Sequence, residues 1–253
     1  MNEIDVVLIL NLEKRVDRLY AVYGALWAAG VGKEKIKRWP AISGDNFQDR
    51  DALIQAATDD GFPEFSHLVV ERPHEKPYHE LNIKSQAWNY CQMLRYLVET
   101  QQTGVILYDD RFIKDWINFQ GTYNTLKRHE AQNPVILQLD YYFTGHFNQK
   151  IKRCRHQGLT YIQQGPTTTS ENAMVYSPDG AEWFLARILE PANEGRNIET
   201  TIARLSALPR KKRSCFWSVH RDFSLIGVFN RLGSDIDIPG VGHPIEIPNA
   251  EEE

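Results

Sequence analysis

The sequence Gly104-Val105-Ile106-Leu107-Tyr108-Asp109-Asp110 places two adjacent carboxylates directly after a short apolar run. Such a run predicts a buried strand whose last residues emerge at the edge of a sheet. In open α/β sheets, ligands bind just beyond the carboxyl ends of the strands. Two close carboxylates repel each other unless a cation offsets their charge, and Mg²⁺ and Mn²⁺ suit oxygen ligands. This stretch alone leaves two interpretations open, a cation site or a solvated turn whose Asp caps the next helix.

The composition is that of an ordinary globular protein, with 42% hydrophobic and 25% charged residues among 253. The net charge of −4 provides no general attraction to nucleic acid or to an anionic membrane. Three cysteines without CxxC spacing indicate reduced thiols. The acidic N-terminus does not resemble a signal peptide, and no apolar run is long enough to span a membrane. We therefore expect a soluble, cytoplasmic protein.

The first 42 residues predict a β-α-β unit. Val6 to Leu10 is a continuous apolar run, and apolar residues from Val16 to Trp27 then recur at helical spacing up to a stop at Gly30. Ile36 to Ile42 predicts the second strand. This order implies a parallel sheet with a right-handed crossover. Further strands are predicted at 135–139, 158–163 and 173–176, and further helices at 87–98, 116–126, 178–188 and 198–208.

The remaining segments are less regular. Residues 45–82 are polar and predict a long loop with a short helix near 50–57. Residues 238–253 are rich in Pro and Gly and end in three Glu, so we expect a mobile acidic tail. The sequence thus predicts one α/β domain over 1–237, with a mostly parallel sheet flanked by helices and an irregular C-terminal part.

Five blocks occur in order along the chain: Val7 to Arg18, Arg38 to Gly44, Ile106 to Asp110, Thr169 to Ala181, and Ser234 to Ile236. Together they resemble glycosyltransferase family 25, which contains lipopolysaccharide-synthesis glycosyltransferases and collagen galactosyltransferases. The first block resembles the family's strand ending in Asn-Leu, followed by a basic residue and Asp-Arg. The third block resembles the family's metal motif after a strand.

The resemblance implies a GT-A-type (Rossmann-like) fold and transfer of a hexose or pentose from a nucleotide-sugar donor, most plausibly a UDP-sugar. It also implies Mn²⁺ or Mg²⁺ and a hydroxyl acceptor, such as a glycan or a lipid-linked molecule. One position departs from the family. The Glu that precedes its Asp-Asp pair is Tyr108 here, which removes one carboxylate. Tyr108 would instead stack on the donor's base or ribose, or the site would bind metal weakly.

The resemblance also implies a donor site made of three chain segments. The end of the first strand would contact the nucleotide through its backbone, and two arginines on the next helix would meet phosphate or base. A solvated helix face is the alternative for both arginines. Ala41 and Gly44 would let the backbone approach the nucleoside closely, and an ordinary turn is the alternative for them. The donor-site residues implied are Asn11, Leu12, Arg15, Arg18, Ala41, Gly44, Tyr108 and Asp109.

The cation and the catalytic base are expected to involve acidic residues. Asp109 and Asp110 would hold the cation that neutralises the leaving diphosphate. His220 would complete the metal shell, since imidazole suits Mn²⁺, unless it is structural. Glu199, at the start of its helix, would take the acceptor's proton, or it would only interact with the helix dipole. Asp140, at the end of its own strand, is the rival base.

Two basic clusters, Lys150 to His156 and Arg210 to Arg213, stand out in a net-acidic chain. They are either solvated loops or contacts for an anionic partner, such as a phosphorylated or nucleic-acid acceptor. A glycosyltransferase acting on modified DNA bases would carry such clusters. Two other hypotheses stay open: a non-catalytic nucleotide- or glycan-binding protein on the same scaffold, and a nucleotide-binding hydrolase or nucleotidyltransferase that uses the same Asp pair.

Overall fold

The computed structural model describes residues 4–68, 77–129, 135–139, 142–144, 152–156, 159–164, 167–169, 171–191, 198, 201–202, 205, 216–219 and 225–228. Several predicted features lie outside these ranges: Asp140, Glu199, His220, the basic cluster at 210–213 and the tail at 238–253.

Within the described ranges, twelve strands and five α-helices have defined bounds, and residues 198, 201, 202 and 205 are also helical. None of these helices is long and apolar enough to cross a membrane. Short 3₁₀ turns span Lys33–Lys35, Gly44–Asn46 and Pro63–Leu68. The helices are α1 (Val16–Ala28), α2 (Arg50–Asp59), α3 (Pro77–Glu99), α4 (Trp116–His129) and α5 (Pro178–Ile188). The strands are β1 (Val6–Asn11), β2 (Ile36–Pro40), β3 (Gly104–Tyr108), β4 (Arg111–Ile113), β5 (Ile136–Gln138), β6 (Tyr142–Thr144), β7 (Lys152–His156), β8 (Leu159–Gln164), β9 (Thr167–Thr169), β10 (Ala173–Tyr176), β11 (Phe216–Val219) and β12 (Ile226–Val228).

Eight of the described strands form one open sheet in the order β2-β1-β3-β10-β5-β11-β8-β7. Strands β10 and β8 run opposite to the other six, so the sheet is mostly parallel. Apolar clusters cover both of its faces. The cluster on one face includes residues of α2, α3 and α5, and the cluster on the other includes residues of α1 and α4. This topology confirms the predicted α/β class with a mostly parallel sheet flanked by helices.

Strand β1 lies inside the sheet, and all six of its residues are buried. Successive side chains of a strand point to opposite faces. Leu8 and Leu10 accordingly belong to the cluster with α3, and Val7 and Ile9 to the cluster with α1. Asn11 continues this alternation and lies on the face that α1 covers. The predicted β-α-β unit is confirmed, because β1 and β2 pair in parallel and Gly30 has a positive φ just after α1.

The short helix predicted near 50–57 is confirmed as α2. The irregular loop predicted for the rest of 45–82 is wrong at Pro63–Leu68, which is a 3₁₀ turn, and from Pro77 onward, which belongs to α3. Asp49 caps α2 by accepting a hydrogen bond from the Ala52 N–H at 2.9 Å. Phe65 and Leu68 are buried in the core, and α3 already begins at Pro77. Widely spaced apolar residues in this polar stretch pack against the side of α3, which a local reading of hydrophobicity does not detect.

The predicted strand before the two carboxylates is confirmed as β3. The chain does not enter a helix directly after it, because β4 follows and pairs with β12. The cap of α4 is Asp115, whose Oδ1 accepts a hydrogen bond from the Asn118 N–H at 3.0 Å. The interpretation of the Asp pair as a helix cap is therefore wrong.

The turn after β2 packs tightly on α3. The Gly44 N–H donates to Asn82 Oδ1 at 3.0 Å, and the Ile42 N–H donates to Asn89 Oδ1 at 2.8 Å. A Cβ atom added at Gly44 would lie 2.6 Å from the Asn82 backbone nitrogen. Gly44 therefore has a packing role, since no side chain fits between this turn and the helix.

We predict that Gly44→Ala lowers the free energy of unfolding by about 1–3 kcal/mol, because the methyl group overpacks this contact. Gly24→Ala is the matched control, since a Cβ at this helical glycine meets nothing within 4 Å. It should stabilise the protein by about 0.5–1 kcal/mol through helix propensity. Urea unfolding of both variants provides the measurement. A Gly44→Ala variant as stable as the wild type would contradict the close packing.

Candidate functional site

The carboxyl ends of three neighbouring parallel strands carry polar residues on the face of α1. Arg38 comes from β2, Asn11 from β1 and Asp109 from the end of β3. Helix α1 adds Arg18, which is buried. This edge is where open α/β sheets bind their ligands. We call these four residues, together with Asp110, the edge site.

Protein donors hold both carboxylate oxygens of Asp109. Asn11 Nδ2 donates to Oδ2 at 2.8 Å, and Arg18 Nη1 donates to Oδ1 at 3.2 Å. Asp109 is only 7% exposed. Burial raises the pKa of the Asp109 carboxyl above its usual range, although Arg18 and Asn11 act to lower it. The carboxylate thus fixes the end of β3 against α1.

The Asn11 amide connects the other parts of the edge site. Its Oδ1 accepts a hydrogen bond from Arg38 Nε at 3.1 Å. Its Nδ2 also donates to the Arg15 carbonyl at 2.8 Å, just before α1 begins. Arg38 Nη2 is buried and has no hydrogen-bond partner among the described residues. One amide therefore joins three strand ends to the start of a helix, beside a guanidinium nitrogen that can still donate.

Asp110 directly follows Asp109 at the same edge of the sheet. Its Oδ2 forms an ion pair with Arg111 Nη1 at 2.5 Å. Its Oδ1 is buried and accepts no hydrogen bond from the described part of the chain, although the side chain as a whole is 32% exposed. A buried acceptor without a partner costs about 1–3 kcal/mol, and such groups commonly bind water or an ion. Asp110 Oδ1 is therefore suited to a ligand.

The charges of the edge site are unequal. Arg18 and Arg38 contribute two positive charges against the single carboxylate of Asp109, while Asp110 and Arg111 offset each other. An excess guanidinium favours an anion such as a diphosphate, which Arg binds with directed hydrogen bonds. A nearby carboxylate oxygen favours a cation. The combination suits an anionic ligand that binds together with a divalent cation.

The remaining donor-site residues implied by the sequence lie around this edge. Arg15 pairs with Asp17 Oδ2 at 2.8 Å. Arg18 is buried, so the alternative of a solvated helix face is wrong for this residue. Leu12 directly follows β1, and the Ala41 N–H donates to the Asn11 carbonyl at 3.0 Å. Contact of these residues with a nucleotide stays a prediction.

Tyr108 lies on the opposite face of the sheet from Asp109, because successive strand residues alternate. Its hydroxyl accepts a hydrogen bond from Gln86 Nε2 of α3 at 2.8 Å and donates to Glu171 Oε1 at 3.3 Å. Burial, followed by the nearby Glu171 charge, raises the pKa of Tyr108 well above its usual range. The hydroxyl therefore stays protonated and keeps its role as a donor. Stacking of Tyr108 on a base or ribose stays a prediction.

Three polar residues of this region were missed by the sequence analysis: Arg38, Gln86 and Glu171. Arg38 had a detectable signal, since it shares the period-2 pattern of Ile36 and so occupies an inward-facing strand position. Gln86 and Glu171 gave no local signal. Gln86 precedes Tyr108 by 22 positions in the sequence, and Glu171 follows it by 63 positions, so their contacts with Tyr108 are long-range.

The described residues contain no group of three or more His, Cys, Asp and Glu side chains arranged to hold a metal ion. Asp110 Oδ1 nevertheless fits a hard cation, which accepts few protein ligands when phosphate oxygens and water complete its shell. Asp109 is less suited to direct contact with a cation, because the Arg18 guanidinium occupies one of its oxygens. The fit to a cation therefore rests on Asp110.

Comparison with known proteins gives only distant likenesses. No protein-family model and no curated protein matches the chain. The structure of mouse xyloside xylosyltransferase 1 in its apo form is similar at 10% identity, with 83% of each chain covered and a TM-score of 0.45. That of mannose-1-phosphate geranyltransferase from Thermus thermophilus is similar at 12% identity, with 85% of this chain and 73% of that chain covered and a TM-score of 0.29. Likeness at these values establishes no shared activity.

We predict that Arg18→Met lowers the free energy of unfolding at about pH 7 by about 3–5 kcal/mol, because it leaves the Asp109 carboxylate buried without its cation. The loss should shrink as the pH falls, because Asp109 then takes up a proton. Without Arg18, the folded-state pKa of Asp109 rises further. A carboxyl group whose pKa is higher in the folded state than in the unfolded state stabilises the folded protein as the pH falls.

Urea unfolding at several pH values measures this effect. Arg15→Met is the matched control, because its partner Asp17 lies at the surface, and we expect a loss of about 1 kcal/mol or less. A loss in Arg18→Met that does not change with pH would contradict the assignment of Asp109 as the unpaired group.

Proposed function

We propose that this chain is a GT-A-type glycosyltransferase that moves a sugar from a nucleotide-diphosphate donor, a UDP-sugar, to a hydroxyl acceptor. The observation that supports this most is the edge site. There, the buried Asp110 Oδ1 has no donor and the buried Arg38 Nη2 has no acceptor among the described residues, at the same carboxyl edge of the sheet. A diphosphate bound with Mn²⁺ or Mg²⁺ would satisfy both atoms.

The residues of the edge site have separate roles in this proposal. Arg38 donates to a phosphate oxygen, and Asp110 holds the cation through Oδ1. Asp109 positions Asp110, since Asn11 and Arg18 fix its carboxylate. A cation held there would neutralise the charge that develops on the leaving diphosphate.

The finer assignments rest on residues outside the described ranges. Glu199 and Asp140 remain the proposed bases, and His220 a proposed metal ligand. Membership in glycosyltransferase family 25 rests on the sequence blocks alone. A glycan or lipid-linked acceptor is proposed ahead of a modified DNA base, because the net charge of the chain is negative.

A second candidate is a non-catalytic nucleotide- or glycan-binding protein on the same scaffold. It is favoured by the two hydrogen bonds that occupy Asp109 and by the tyrosine at position 108. Together these leave Asp110 as the one carboxylate at the end of β3 with an oxygen open to a ligand. A hydrolase or nucleotidyltransferase that uses the same edge is the third candidate. It would release pyrophosphate or monophosphate instead of nucleotide diphosphate.

We predict that the wild type releases nucleotide diphosphate from at least one member of a nucleotide-sugar panel in the presence of Mn²⁺. Asp110→Asn should reduce this release about 100-fold or more, because a cation typically supplies several kcal/mol of charge stabilisation. Asp51→Asn is the matched control, because its side chain is 90% exposed on α2, and its release should equal the wild type.

Other outcomes would favour a different candidate function or a different position of the cation. Cation-dependent binding of nucleotide without release favours the non-catalytic protein. Release of pyrophosphate or monophosphate favours the third candidate. Near-normal release by Asp110→Asn would place the cation elsewhere.

A further inference from the structure

A second polar cluster lies at the same edge of the sheet, on the face covered by α3. It consists of Tyr108, Gln86 and Glu171. Gln86 Nε2 lies 2.8 Å from the Tyr108 hydroxyl and 3.3 Å from Glu171 Oε1, and the Tyr108 hydroxyl lies 3.3 Å from the same Glu171 oxygen. We call these residues the α3-face cluster.

The cluster buries a carboxylate at the margin of the apolar core. Glu171 is 9% exposed, and Tyr108 belongs to the core cluster that contains Leu10, Ile106 and Met174. Burial of an ionised carboxylate is costly unless hydrogen bonds compensate it. The fold could close this end of the core with apolar residues, so a carboxylate here favours a binding role.

The connection to the edge site follows from strand register. Strand β10 is antiparallel to β3, with Ala173 opposite Leu107, and the Tyr108 N–H donates to the Asn172 carbonyl at 3.0 Å. Glu171 thus lies beside the residues that follow β3, about one strand spacing of 5 Å away. A ligand whose diphosphate contacts Arg38 and Asp110 would reach the α3-face cluster by extending across the end of β3.

We propose that the α3-face cluster binds hydroxyl groups of the transferred sugar. The proposal rests on the proposed glycosyltransferase function and names the part of the donor that these residues recognise. A carboxylate can accept hydrogen bonds from two neighbouring sugar hydroxyls, and the Gln86 amide and Tyr108 hydroxyl hold that carboxylate in position. Glu171 then supplies, from the segment before β10, a carboxylate that the chain lacks at position 108.

The test compares UDP with three UDP-sugars, which add only the sugar. Calorimetric titration in the presence of Mg²⁺ gives the affinity for UDP and for UDP-glucose, UDP-galactose and UDP-xylose. We expect Glu171→Gln to weaken binding of the preferred UDP-sugar about tenfold or more, because a hydrogen bond to a charged group is lost. Its affinity for UDP should change by less than about twofold.

Tyr108→Phe is the second variant, because it removes one hydroxyl and keeps the buried ring. We expect a smaller loss that is again confined to the UDP-sugar. Glu64→Gln, at an exposed acid, is the matched control and should bind both probes like the wild type. Thermal unfolding of each variant shows whether it is folded at the titration temperature.

The outcomes separate this proposal from the proposed function. Equal losses for UDP and UDP-sugar in both variants would show a merely structural cluster and overturn the proposal. Unchanged UDP-sugar affinity in both variants would overturn it as well, while the glycosyltransferase function would stand. A wild type that binds neither probe would overturn both.

Discussion

The edge site depends on the hydrogen bond between the Asn11 amide and the Asp109 carboxylate. The same amide accepts from Arg38 and donates to the Arg15 carbonyl, so it determines how β1, β2, β3 and the start of α1 meet. Arg18 supplies the cation that makes the burial of Asp109 tolerable. Because these groups satisfy one another, the neighbouring Asp110 and Arg38 are held rigidly with atoms that can still bind a ligand.

The alternation of side chains at the end of β3 gives the edge two different surfaces. Asp109 lies on the α1 face within a network of guanidinium groups, and Tyr108 lies on the α3 face beside a second carboxylate. In the proposed function, the first surface suits a diphosphate and the second suits a sugar. A nucleotide-sugar donor contains both groups, so a single ligand can span the strand end.

Much of the fold could be predicted from the sequence. The buried strands β1, β3 and β10 are continuous apolar runs, and α5 begins at Pro178 after a Ser177 cap, so local signals were sufficient. Six other strands (β4, β6, β7, β9, β11 and β12) were missed, because none of them is an uninterrupted apolar run and such strands depend on their partners. In the edge site, the resemblance pointed to Asn11, Arg18 and Asp109, but nothing in the sequence indicated the hydrogen bonds between them. Arg38, Gln86 and Glu171 act through contacts that are distant in sequence, which local patterns do not reveal.

The most direct test of the edge site is a crystal structure of the protein with UDP and Mg²⁺. We predict Mg²⁺ within about 2.0–2.1 Å of Asp110 Oδ1, which is its normal distance to oxygen ligands. We also predict a diphosphate oxygen within hydrogen-bond distance of Arg38 Nη2, with the Asn11–Asp109 hydrogen bond unchanged, and these contacts together define the proposed site. A nucleotide bound away from the carboxyl ends of β1, β2 and β3, or a cation bound by Asp109 after Arg18 has moved away, would contradict it.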